Sequence, residues 1–266
     1  MMKKLFHHFS HPFIKHKKTN PLSQVKSFQI YYGHVDAQAL NVLKTVDLVI
    51  IEPRNIDFHF VQQIRASGTL VFGYLSIMET PTWNRDRFDL LDGSDFLMIE
   101  GEKMHFPAWN SYLMDLRKIH YQGLLLQEMK TQIIQKNMDG IFLDTIGDIE
   151  EYIRKGSIQQ EMNQAYLNLL AKIGTIHPHL SLIQNRGFAL LQGTKHFLDG
   201  FLWEDWRSEL ANQDEWFKKK LQLIKKYQKK GLKIFTVSSI QEHVHTQAAK
   251  ERSFVHLVRP DGYNTL

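Results

Sequence analysis

Two segments of the chain share one frame: DGIFLDT at 139–145 and DGFLWEDW at 199–206 each run Asp-Gly, three apolar residues, then a carboxylate. The carboxylates are Asp144 and Glu204. Two acids facing each other across a pocket suit the cleavage of a glycosidic bond. One attacks or assists at the anomeric carbon, and the other, kept protonated by its surroundings, gives a proton to the leaving oxygen. Trp83, Trp203 and Trp206 offer flat apolar faces for sugar rings, with core packing the stronger reading for Trp203. A lone acid after a strand more often caps the next helix, a role that suits Asp148 and Asp205. The conjunction of several such acids is what points to chemistry.

Those acids have to be brought to one place. Short, continuous apolar runs stand at 27–33, 46–53, 70–77, 139–145, 180–187, 199–206, 232–239 and 253–260. Unbroken runs, as opposed to alternating ones, are the mark of parallel strands covered on both faces. Helical stretches separate them, the clearest being 214–231, with apolar residues at 217, 221, 224 and 227 and a closing Gly231. Eight strands alternating with helices predict an α/β fold, a single-domain (β/α)8 TIM barrel, with a long excursion at 78–116 after the third strand. A doubly wound open sheet is the competitor, but no GxGxxG follows any strand.

In such a barrel the carboxyl ends of the strands share one face. That face would collect Tyr31, Tyr32, Glu52, Tyr74, Glu79, Asp144, Asn185, Arg186, Glu204, Asp205 and Trp206. Glu52 and Arg54 could equally pair with each other. Other chemistries fare worse. The near-spaced histidines, at 177–179 and 243–245, fall at the wrong end of the barrel or on different faces of a helix, so no metal site is expected. No GxSxG elbow or P-loop occurs, and no cofactor is expected.

The 266 residues carry a formal net charge of +5, but residues 1–26 hold six lysines and no acid. Removing them leaves 27 basic and 28 acidic residues, so the body is nearly neutral and nucleic acid is not an expected partner. Residues 1–26 read as a basic, disordered tail, with residues 27–266 as the barrel. Phe6, Phe9 and Phe13 among the cations make weak contact with a membrane surface the sharper alternative for the tail. Its histidines and proline break the apolar core of an export signal, which gives a cytoplasmic address by default. The chain has no cysteine, which removes disulfides, thiolate metal sites and cysteine nucleophiles.

The series DLVIIEP, GYLSIMET, DGIFLDT, IQNRGF and DGFLWEDW, in that order, resembles glycoside hydrolase family 114, the endo-α-1,4-polygalactosaminidase-like barrels. The likeness spans roughly residues 27–240. It implies a barrel that cuts α-1,4-linked galactosamine polymers, substrates that occur outside the cell. It also implies that Asp144 is the nucleophile and Glu204 the acid/base of a retaining reaction. Glu79, Asn185 and Arg186 match positions that resemble the family's substrate-binding wall. Three departures stand out: Glu52 where the family more often has Asp, Met78 where glycine is usual, and FTVSS where the seventh strand usually ends Asp-Tyr. The acids of the rim would draw a cationic, deacetylated amino-sugar chain. A barrel that binds glycan without cutting it, as an accessory to polysaccharide synthesis or export, is the alternative.

Overall fold

The computed structural model describes residues 19–239 and 243–266. Each of the eight apolar runs forms a strand. In chain order these are β1 (Phe28–Tyr31), β2 (Leu48–Ile51) and β3 (Leu70–Ser76). The excursion then adds β4 (Glu79–Pro81), β5 (Met98–Ile99), β6 (Glu102–Lys103), β7 (His105–Phe106) and β8 (Ser111–Leu113). The barrel resumes with β9 (Gly140–Asp144), β10 (Ser181–Asn185), β11 (Gly200–Trp203), β12 (Lys233–Ser238) and β13 (Val255–Val258).

The eight long strands pair in the order β1-β2-β3-β9-β10-β11-β12-β13, parallel throughout. The barrel is nearly closed. Where β1 meets β13, the Arg259 guanidinium donates to the Ile30 carbonyl at 3.3 Å, and the Tyr32 N–H donates to the Tyr263 carbonyl at 2.7 Å.

Side chains alternate across each strand. Phe28, Ile30, Leu48, Ile50, Phe72, Phe142, Ile183, Leu202 and Phe235 fill the barrel. The opposite parity, including Val49, Ile51, Val71, Leu75, Ile141, Leu143 and Phe201, packs outward beneath the helices. Both faces are therefore covered, which is why the runs are continuous.

The repeated Asp-Gly is structural at its amino end. Asp139 accepts from the Val71 N–H at 2.9 Å and takes a forked contact from Arg65. Asp199 likewise accepts from the Leu182 N–H at 3.1 Å. Each aspartate thus ties the start of its own strand to a neighbouring strand. The glycines leave space inside the barrel: a Cβ on Gly140 would sit 2.3 Å from the Phe72 ring. One on Gly200 would sit 2.9 Å from Ile183 and Leu22.

Leu22 also moves the expected domain boundary. The barrel begins before residue 26, since Leu22 and Val25 are buried in its interior cluster. The Asn20 amide holds the Asp199 and Gly231 carbonyls at 2.7 and 2.8 Å. Residues 1–18, the greater part of the expected basic tail, lie outside the described residues, as do 240–242. Among the described residues no helix is long and apolar enough to cross a membrane.

The excursion folds as an antiparallel sheet, β4-β8-β7, with a β5-β6 hairpin beside it. It starts at Glu79 and so begins at the mouth of the barrel.

Candidate active site

Asp144 is the last residue of β9, Asn185 the last of β10, and Glu204 follows the end of β11. All three have the inward parity. The residue after each one, Thr145, Arg186 and Asp205, has positive φ, at 65°, 52° and 53°. This left-handed step turns the chain away as soon as the functional side chain is placed. Hydrogen bonds hold the step: Thr145 Oγ1 accepts from the Met78 N–H at 2.8 Å. The Arg186 N–H reaches the Leu202 carbonyl at 3.0 Å, and the Trp206 N–H reaches the Val237 carbonyl at 2.9 Å.

Asn185 joins the two acids. Its Nδ2 donates to Asp144 Oδ1 and to Glu204 Oε2, each at 2.7 Å. Both partners are acceptors, so the amide nitrogen has to face them. Two oxygens on one nitrogen can be no farther apart than twice that bond length. The facing oxygens of Asp144 and Glu204 are therefore held close together.

Glu204 also accepts from the Tyr263 hydroxyl at 2.6 Å. Burial raises the Glu204 carboxyl above its ordinary value and the charge of Asp144 adds to this, while the bonds from Tyr263 and Asn185 pull the other way. Tyr263→Phe removes one downward influence. Because a general acid works only while protonated, the alkaline limb of kcat/KM is expected to move to higher pH in that variant. A pH–rate profile of the folded variant checks the direction.

Tyrosines make the wall beneath the acids. The Tyr32 ring lies 4.9 Å from that of Tyr74 and 5.3 Å from that of Tyr263. Burial, and then the charge of Asp144, keep the Tyr32 and Tyr74 hydroxyls protonated. Of the two adjacent tyrosines that end the first strand, Tyr32 is the one that belongs to the site; Tyr263 is not among the residues expected from the sequence. Tyr32 continues the inward parity of Phe28 and Ile30, and that signal could have found it; Tyr263 lies past the last strand, where no periodicity applies.

A second acid pair stands next to Asp144. Glu79, at the start of β4, accepts from the Ser111 hydroxyl of β8. Asp148, the first residue of the helix Asp148–Tyr152, is 9 % exposed. Burial, followed by the nearby charge of Glu79, pushes its carboxyl up to about 9. Asp148 therefore carries the proton at neutral pH. Its pKa is higher folded than unfolded, so its stabilising contribution is whole below about pH 4 and falls as the pH rises toward 9. Asp148→Asn has no carboxyl to ionise and so escapes this loss. It is expected to match the wild type near pH 4 and to exceed it by on the order of 2 kcal/mol at pH 8, as read by thermal unfolding at both values.

The remaining predicted residues divide. Tyr31 is misplaced by the sequence reading: its parity sends it outward into the helix-side core, where its hydroxyl donates to the His34 carbonyl at 2.9 Å. Trp206 is likewise no sugar platform. It is 0 % exposed, packed against Trp203, Phe217 and Phe254, with its indole N–H on the His245 carbonyl. The left-handed step at Asp205 turns it inward beneath the helices. Glu52 is buried and inward, but it caps the turn at 53–55 and pairs at 3.3 Å with Arg54, which it shares with Glu128 at 2.9 Å. Arg186 leans toward Glu151 at 3.5 Å, and Asp205 is exposed beside Glu204. Of the tryptophans proposed as sugar faces, Trp83 is exposed, at 54 %.

A parallel eight-stranded barrel that holds two carboxylates at the carboxyl ends of its fourth and sixth barrel strands is the frame of a glycosidase. The chain belongs to glycoside-hydrolase family GH114, whose sequence profile it matches over residues 11–266. Its fold is similar to the glycoside hydrolase domain of PelA from Pseudomonas aeruginosa. That likeness has 19% identity and a TM-score of 0.74, and covers 91% of this chain and 97% of that one. Ega3 from Aspergillus fumigatus, solved in complex with galactosamine, is similar at 12% identity and a TM-score of 0.67, over 91% and 93% of the two chains. The α-galactosidase TtGalA from Thermus thermophilus is similar at 12% identity and a TM-score of 0.57, over 91% and 59%. No curated protein matches the chain in sequence.

Proposed function

We propose that this glycosidase cuts α-1,4-linked galactosamine polymers within the chain and with retention of configuration, Asp144 acting as nucleophile and Glu204 as general acid/base. The observation that carries the reading is the Asn185 amide with 2.7 Å bonds to both carboxylates. Two oxygens that share one nitrogen are close neighbours, which supports the shorter carboxyl spacing of retaining enzymes, roughly 5–5.5 Å, over the roughly 6.5–9.5 Å that leaves room for an inverting water. The raised carboxyl of Glu204 suits the proton donor. Asp144 takes no bond from a lysine, arginine or histidine among the described residues, so no cation neutralises it as it approaches the anomeric carbon. Family membership and the galactosamine bound by Ega3 support the sugar.

The chemistry then runs in two steps. Asp144 attacks C1 as Glu204 protonates the departing oxygen, giving a glycosyl ester. Glu204, now ionised, deprotonates a water that releases the sugar with its original configuration. Incubation with α-1,4-galactosamine oligomers tests this. Proton NMR of the first product should show the α anomer before mutarotation, and mass spectrometry should show internal cuts. Initial β anomer would overturn retention; single sugars released from one end would overturn the internal mode. Oligomers that bind intact would favour the glycan-binding alternative.

A further inference from the structure

The charges that nearly cancel in the body are separated along the barrel axis. Glu79, Asp144, Asp148, Glu204 and Asp205 stand at or just beyond the carboxyl ends of the strands. The opposite, amino-terminal end is basic. Lys26 precedes β1, Lys195 lies in the turn before β11, and Lys229, Lys230 and Lys233 surround the entry to β12. The helix Glu215–Gln228 runs antiparallel to the strands it joins, so its last turn, with Lys226, ends on the same face. Lys195 Nζ and Lys226 Nζ lie 5.5 and 5.6 Å from the centre of the Tyr227 ring, which brings the two segments together. Lys233 Nζ reaches the Ser23 carbonyl at 3.3 Å, which joins the Lys26 segment to them. Burial, then the charges of Lys195 and Lys230, hold the neighbouring His196 imidazole below its ordinary value.

Little on the protein answers these charges. The only lysine ion pairs among the described residues are Lys218–Glu215 and Lys220–Glu150, both toward the other end of that helix. The acids of the amino-terminal end are already engaged. Asp47 accepts the Lys26 and Ser27 N–H groups at 2.8 and 2.9 Å, Asp139 is taken by Arg65, and Asp199 is only 6 % exposed. Exposed Glu251 is flanked in the chain by Lys250 and Arg252. The Asn20 amide, on the Asp199 and Gly231 carbonyls, fixes the point where residues 1–18 join this face. Those residues add Lys3, Lys4, Lys15, Lys17 and Lys18, with Phe6, Phe9 and Phe13 and no acid. Cations alone suit any polyanion, but cations interleaved with phenylalanines suit a surface that is charged outside and apolar beneath.

We propose that the amino-terminal face of the barrel docks on an anionic bilayer, leaving the mouth turned away from the membrane and open to polymer in solution. This goes beyond the glycosidase reading and does not depend on which sugar is cut. Each lysine held near a negatively charged membrane surface is worth about fivefold in binding. The attraction decays within about 10 Å at 0.1 M salt, so the charges of this face act and those of the far end do not. The acids of the mouth reinforce the orientation, because an anionic surface repels them. Sign alone therefore sets which end faces the bilayer, and no specific lipid contact is needed.

The test is sedimentation of the full chain with vesicles of phosphatidylcholine containing about a third phosphatidylserine, against vesicles of phosphatidylcholine alone. One variant combines Lys195→Gln, Lys226→Gln, Lys229→Gln and Lys230→Gln. Its control combines Lys103→Gln, Lys130→Gln, Lys155→Gln and Lys219→Gln, which removes the same charge from exposed sites elsewhere. The wild type should bind the anionic vesicles only. The first variant should lose about 100-fold or more in that binding, and the control less than about threefold. Both should keep wild-type kcat/KM on soluble galactosamine oligomers, which separates this surface from the catalytic reading. The chain has no cysteine, so His196→Cys or Glu102→Cys places a single environment-sensitive dye at one end or the other. The dye should shift on anionic vesicles at position 196 and stay unchanged at 102. Equal losses in the two quadruple variants, a shift at 102, or tighter binding to duplex DNA or RNA than to the vesicles would overturn the proposal.

Discussion

Glu204→Gln is expected to stay folded and to lose about 10³-fold or more in kcat on galactosamine oligomers, because the leaving oxygen then departs without a proton. The loss should shrink on an aryl glycoside whose leaving group needs no proton, and added azide should restore turnover by attacking the glycosyl ester in place of an activated water. Asp144→Asn should show neither relief, since no ester forms. This contrast separates the two roles more sharply than inactivation alone. Both replacements keep an atom for the Asn185 bridge, whose 2.7 Å bonds organise the site, so the structural disturbance is small. If azide rescues Asp144→Asn and leaves Glu204→Gln inactive, the roles are exchanged.

The largest expected effect on stability is that of Gly140→Ala. The added Cβ would lie 2.3 and 2.4 Å from the Phe72 ring and 2.5 Å from the Ser181 carbonyl oxygen. The ring is enclosed in the barrel core and the carbonyl is part of β10, so neither can withdraw cheaply. A cost of about 3 kcal/mol, or roughly 10 °C in Tm for a chain of this size, is expected by calorimetry. Gly200→Ala should cost less, because the atoms it meets at 2.9–3.0 Å all belong to side chains. If the two variants melt together, the glycines are not sized to the rings as argued.

These cases show where the sequence was readable. The eight strands were legible because burial on both faces leaves unbroken apolar runs. Asp144 and Glu204 were legible as neighbours because each ends a run that opens with Asp-Gly. Tyr31 and Tyr32 are hard to tell apart in the sequence because two adjacent tyrosines give no parity by themselves; the inward Phe28 and Ile30 settle it for Tyr32. Trp206 looked like a rim aromatic because the left-handed step at Asp205 leaves no mark in the residue types. Asp148 resembled an ordinary helix cap because its partner Glu79 is in the excursion, far away in sequence. The short strands of that excursion, two or three residues each, are below the length at which periodicity can be seen.

The three left-handed residues behind Asp144, Asn185 and Glu204 also matter to anyone who would engineer this barrel. Thr145, Arg186 and Asp205 occupy backbone conformations costing of order 1 kcal/mol or more each for a residue with a Cβ, most of all for β-branched Thr145. A selection for heat resistance would find glycine or asparagine at these positions early. At 145 that gain would come with loss of the hydroxyl holding the Met78 N–H, and with it the stitch between β9 and the chain entering the excursion. Libraries built on this scaffold should therefore fix position 145 and screen for turnover alongside melting temperature.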